Sequence, residues 1–160
     1  MAALGCGGFA AAEFDACPPV AGGGELMVAG IGRVVFSGLT TDRVRDAASL
    51  TGSVCLAFEA VDGLLRTGRL ELSGLSTDLV VAAADVTLEL PDWTLTARSL
   101  RSNGAVATLD EVMMQGVEAV ARAATVRFDL AVGDVEAVDL RLVTETVWLD
   151  ARSARFDGRR

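Results

Sequence analysis

The sequence predicts an all-β chain: repetitive antiparallel strands forming an open, curled β-jelly roll of two facing sheets. Three observations carry this. Apolar and polar residues alternate with period two from Glu25 to Phe156, the signature of half-buried strands. Gly, Pro or Asn-Gly punctuation breaks that alternation every eight to fourteen residues, a spacing typical of short strands joined by tight turns. The chain also repeats itself. "LVVAAADVTLEL" from Leu79 aligns without gaps on "AVARAATVRFDL" from Ala119 (119 − 79 = 40), and "TLTARSLRSNG" from Thr94 on "WLDARSARFDG" from Trp148 (148 − 94 = 54). Repetition speaks to architecture more directly than local propensity does.

Taken in order, residues 1–12 read as the tail of a secretory leader, with Ala10 and Ala12 suiting cleavage before Glu13. Residues 13–24 hold Cys17, Pro18, Pro19 and three consecutive glycines, which makes a loop. Residues 25–160 form one repetitive β domain. "GRVVFSG" from Gly32 reads as a strand. Thr40 to Leu50 fits either a short helix capped by Thr41 or Asp42, or a strand and turn. Ser53 to Val61 alternates and ends at Asp62-Gly63, a hairpin turn. Leu70 and Leu72 point inward beside Arg69 and Glu71; Val86, Leu88 and Leu90 follow, then Trp93, Leu95 and Ala97. Thr108 and Glu111 have capping-box spacing, but Val112, Met114 and Val117 recur where other units have strands, so a strand is expected there. Val126, Phe128 and Leu130, then Val138, Leu140 and Leu142, then Val147, Leu149 and Ala151 complete the inward rows.

A third alignment, Leu70 on Val138 through Leu88 on Phe156 (138 − 70 = 68), exposes a template. An alternating strand and a polar break lead into apolar-x-apolar-x-Ala, two further residues, a small or apolar one and a large apolar one. The alanine marks a place where the inward side chain must be small, as at a kink or bulge. The spacing between such alanines is uneven, 24 residues from Ala97 to Ala121 and 30 from Ala121 to Ala151. A β-solenoid, the alternative fold, repeats more evenly.

Composition excludes several functions. The chain has no His, Lys or Tyr, and all fourteen basic residues are Arg. The commonest general base and metal ligand and the Schiff-base nucleophile are therefore missing. No metal or cofactor is expected. A net charge of −8 argues against nucleic acid as a partner. No apolar run is long enough to span a bilayer as a helix. Asp110/Glu111 and Asp134/Glu136 could be offered as acid–base pairs, yet outward carboxylates are routine on such strands, and an enzyme is not expected. Three cysteines, Cys6, Cys17 and Cys55, show no CxxC spacing. With Cys6 removed in a leader, Cys17 and Cys55 are either a disulfide or two unrelated buried thiols.

"LDARSARFDG" and "VARAATVRFDLAVGDVEAVDLRL" resemble the organic-solvent-tolerance or lipopolysaccharide-transport β-jelly-roll family. Leu149, Ala151, Ala154, Phe156, Asp157 and Gly158 match its repeat unit; Ala121, Ala124, Phe128, Asp129 and Gly133 match with displaced aromatic spacing. The resemblance covers about residues 70–158 and departs from the family in lacking Tyr and Lys. It implies a periplasmic or cell-envelope domain that binds a lipid or lipopolysaccharide-like amphiphile and joins domains of like fold edge to edge. The groove would be lined by Leu70, Leu72, Val86, Leu88, Trp93, Leu95, Val126, Phe128, Leu140, Leu142 and Leu149. Head groups would meet Arg98, Arg122 or Arg152. The other expectations are that the same rows form a dry core, or that the domain is a scaffold that self-associates through strand edges.

Overall fold

The computed structural model describes residues 17–58 and 62–157. The leader segment, Cys6 and Gly158 lie outside the described residues. Eleven strands and no helix are found among those described. They are β1 (Gly24–Val28), β2 (Gly32–Phe36), β3 (Gly38–Asp42), β4 (Ala47–Phe58), β5 (Leu64–Ser73), β6 (Val80–Glu89), β7 (Trp93–Ser102), β8 (Val106–Gly116), β9 (Ala119–Asp129), β10 (Val135–Thr144) and β11 (Trp148–Phe156). All belong to one sheet in the order β1-β2-β4-β5-β6-β7-β8-β9-β10-β11, with β3 on β4. The sheet is open, since β1 and β11 do not meet. Every pairing is antiparallel, so the stacked parallel coils of a β-helical solenoid are excluded. Thr40 to Leu50 resolves as strand and turn, and the Thr108/Glu111 spacing caps nothing because β8 runs through it.

A single sheet without helices buries nothing unless it folds on itself. The strands show how it does so. In β6 the buried residues are Val81, Ala83, Val86 and Leu88, with Ala84 and Asp85 exposed between them. The phase of alternation therefore flips across a two-residue outward step. The same step is Gly68-Arg69 in β5, Arg98-Ser99 in β7, Asp110-Glu111 in β8, Ala124-Thr125 in β9 and Val138-Asp139 in β10. Cross-strand register is kept through these steps: Ala84 faces Ser99, Ser99 faces Asp110, Asp110 faces Thr125, and Thr125 faces Val138. The outward pairs thus stack into a continuous corner along which the sheet bends. Asp85, Glu111 and Asp139 take left-handed backbone there, with φ of 48°, 51° and 51°, a conformation that redirects an L-residue chain at some cost. In β4 the bend falls at Gly52 (φ 88°), and the β4–β5 register shifts between Thr51 and Val54, as at a bulge. Thr67 Oγ1 donates to the Ala84 carbonyl at 2.7 Å, which occupies one backbone acceptor where the ladder is interrupted.

The two halves face each other across one hydrophobic cluster that runs from Val28 to Leu140. Leu50, Leu56, Leu65, Leu70, Leu109, Val34, Val54, Val86 and Val126 are its fully buried members. The corner also corrects one inward row. Val138 lies in the outward step and is 40 % exposed, so the inward residues of β10 are Ala137, Leu140 and Leu142. The 68-residue alignment sets Leu70 against Val138, whereas the cross-strand registers carry Leu70 through Ala83, Leu100, Leu109 and Val126 to Ala137.

Outside the sheet, Cys17 and Cys55 form a disulfide with Cα atoms 5.5 Å apart. It holds the 17–23 segment over a second small cluster of Val35, Cys55 and Leu64, with Val20 and Ala57 packed on it.

Candidate functional site

The inward rows form one hydrophobic interior whose cover differs from end to end. Toward β4 and β5, Leu50, Leu56, Leu65 and Leu70 are closed off from solvent. Toward β11 the cover is lost. Leu149 pairs with Leu142, Ala151 with Leu140, Ala154 with Ala137 and Phe156 with Val135, which sets all four β11 residues on the inward face. Yet Leu149 is 41 % and Phe156 50 % exposed, because the described chain places no strand beyond β11. Here the inward face opens to solvent, a mouth of the interior.

The expected groove residues divide accordingly. Leu70, Leu72, Val86, Leu88, Leu95, Val126 and Leu140 are buried in the shared cluster; Trp93, Phe128 and Leu142 pack on its margin. Leu149 alone of the eleven stands open, at the mouth. Ala151, Ala154, Phe156 and Val135 complete the mouth and were not among the expected groove residues. The repeat template already held Ala151, a two-residue step, Ala154 and Phe156, but only Leu149 of this strand was carried into the expected groove.

The three expected head-group arginines lie on the outer surface. Arg98, at the corner, donates to Glu111 at 2.7 Å. That bond, with Asp85 on its other side, holds the guanidinium pKa above its ordinary value. Arg122 sits on the outer face of β9, between Met113 and Arg141 in register. Arg152 is on the outward step of β11, next to the mouth. They do not converge. Two depressions open to solvent, the first mostly polar and the second mixed. One of about 300 Å³ lies along Asp85, Arg98 and Glu111, and one of about 380 Å³ lies over Ser49, Arg69, Glu71 and Arg101. No cluster able to hold a metal occurs among the described residues.

The described residues thus form an open, folded antiparallel β-sheet whose inward face is uncovered at β11. No family model matches the chain, and no curated protein sequence is detectably similar to it. Among solved structures it is similar to LptH, the LptA homologous periplasmic component of the conserved lipopolysaccharide transport device from Pseudomonas aeruginosa. Identity is 14 %, the TM-score is 0.49, and the match covers 61 % of this chain and 75 % of that one. A likeness of this size transfers no activity, and the functional reading rests on the geometry.

Proposed function

We propose that the protein is a non-enzymatic lipid-binding domain of the cell envelope that takes acyl chains into the trough at the β11 end. One observation carries the reading: β11 presents an inward row of Leu149, Ala151, Ala154 and Phe156 that continues the core face yet is left uncovered. An apolar chain laid there gains on the order of 0.8 kcal/mol per buried methylene. The buried groove residues from Leu70 to Val126 would then serve as the wall that shapes the trough, and Leu142, Phe128 and Leu149 as the contact surface. A charged head would stay in water beside Arg152, while Arg98 is already engaged by Glu111. The disulfide supports an oxidising compartment such as the periplasm.

Titration of a fluorescent acyl probe, with mass spectrometry of an organic extract, tests this. The folded wild type should bind, and Leu149→Asp should weaken binding at least about ten-fold, since a charge enters the apolar contact. Absence of both probe binding and copurified lipid from a folded sample would end the reading.

A scaffold that associates through strand edges is the second reading. It is favoured by β11 offering an edge with no partner among the described residues.

A further inference from the structure

We infer that the protein forms a two-fold dimer by antiparallel pairing of β11 with β11 of a second copy, in a register centred between Arg152 and Ser153. The inference rests on the strand-edge reading above and is independent of acyl binding.

The two edges of the sheet are unlike. At the N-terminal side the border is divided: β1 closes one half and β3 the other, each five residues long. Neither crosses the corner. At the C-terminal side β11 is nine residues long and crosses the corner at Arg152-Ser153. A strand that continues the folded sheet beyond β11 must itself carry a corner step. Among the described residues neither strand of the opposite border has one, so they offer no matching edge for a head-to-tail array, whereas a second β11 matches.

The register follows from the rule the sheet obeys elsewhere. From β6 to β11 each outward step lies opposite the next, as Ala84 with Ser99 and Val138 with Ser153. Applied to two copies of β11, the rule places Arg152 against the partner's Ser153. Leu149 then faces the partner's Phe156, and Ala151 the partner's Ala154: large beside large and small beside small, all inward. Both exposed inward side chains, Leu149 and Phe156, become covered, and the two troughs join.

On the outer face the same register sets Asp150 against the partner's Arg155, and by symmetry Arg155 against the partner's Asp150. Within one chain, Asp150 accepts from Arg141 at 3.2 Å and Arg155 donates to Asp134 at 2.8 Å. All four groups lie on the outer surface, so pairing would link them into one row of alternating sign across the joint. Opposite charges directly across a strand pair stabilise it and like charges oppose it.

Sedimentation velocity on the full chain, without lipid or probe, tests this. The wild type should run at twice the chain mass of 16.6 kDa. Asp150→Arg and Arg155→Asp each place like charges across the joint twice, and each should weaken the dimer about ten-fold or more. The double variant Asp150→Arg/Arg155→Asp restores opposite charges between copies and should recover the dimer. A monomeric wild type at about 100 μM, a typical weak-complex concentration, overturns the inference. So do species that grow beyond two copies, single variants as dimeric as wild type, or a double variant no better than the singles. Loss of probe binding with the dimer intact would instead fail the lipid reading alone.

Discussion

Leu70 and Leu149 both point inward, from strands far apart in the sheet, and truncating each separates wall from mouth. Leu70 is 1 % exposed. Leu70→Ala removes buried methyl groups and leaves a cavity, costing about 2–5 kcal/mol. Leu149 is already 41 % exposed, so Leu149→Ala forfeits only part of a leucine's transfer energy, on the order of 1 kcal/mol. The assay is urea denaturation of each variant at the concentration where wild type is monomeric, with the unfolding slope held as a check on compactness. The ordering should invert in acyl-probe titration. There Leu149→Ala should weaken binding by about five-fold, equivalent to roughly 1 kcal/mol of lost contact. Leu70→Ala, measured while still folded, should bind nearly as wild type does. If Leu149→Ala destabilises as much as Leu70→Ala and leaves binding unchanged, β11 is ordinary core and the mouth is not a binding surface.

Three other outcomes follow from the same geometry. The Cys17–Cys55 bridge spans 38 residues, so reduction or Cys17→Ser/Cys55→Ser should lower unfolding free energy by about 4 kcal/mol on the chain-entropy account, read as a drop in the urea midpoint. Asp46 accepts from the Ser76 hydroxyl and amide at 2.7 and 2.9 Å, which hold its pKa below the usual 3.8. A carboxylate with a lowered folded-state pKa contributes stability above its unfolded value and loses it as pH falls through the folded one. Asp46→Asn should therefore flatten the decline of the urea midpoint below about pH 4, and an unchanged decline would remove Asp46 from the account. At the corner, Asp139 has φ 51°. Asp139→Gly should be neutral or stabilising by up to about 1 kcal/mol, and Asp139→Val destabilising by about 1–2 kcal/mol, as judged by thermal midpoints.

The strands were legible in the sequence because alternation is local. Each row, such as Val86 and Leu88 or Leu95 and Ala97, declares its own phase. The corner was legible only in part. The alanine before the bend stood out in the repeat template, and Ala83, Ala97 and Ala151 do precede outward steps, whereas in β9 the residue before the step is Ala123 and not Ala121. The two-residue step was in the template too, but it was not carried into every strand, because two outward residues in mid-strand look the same as one strand ending and another beginning. Val138 shows the cost: a Val between alternating neighbours was assigned inward, yet it lies on the bend. The mouth was hidden for a different reason. Leu149 and Leu65 stand in one cross-strand row, and their distance from the edge of the sheet leaves one 41 % and the other 0 % exposed.

That edge effect is reinforced by side-chain size beside the corner. The two inward residues flanking the bend are Thr67 and Leu70 in β5 and Leu109 and Val112 in β8; in four other strands they are Ala83 and Val86 (β6), Ala97 and Leu100 (β7), Ala123 and Val126 (β9), and Ala137 and Leu140 (β10). In all four an alanine on one side is matched by a larger residue on the other, which fills the apex of a narrow wedge. In β11 the flanking pair is Ala151 and Ala154, small on both sides. The apex is therefore least filled where the cover also ends. A strand meant only to terminate a dry core would carry a bulky residue there or a charge on its inward row. β11 instead keeps Leu149 and Phe156 away from the apex and alanines at it, leaving room for methylenes or for the matching alanines of a second copy. Replacing Ala154 with Leu should fill that space. It should raise or leave unchanged the stability of the monomer by filling an open site, while lowering acyl-probe affinity and dimer mass together. An Ala154→Leu variant that binds and dimerises as wild type does would show that the apex of β11 takes no part in either.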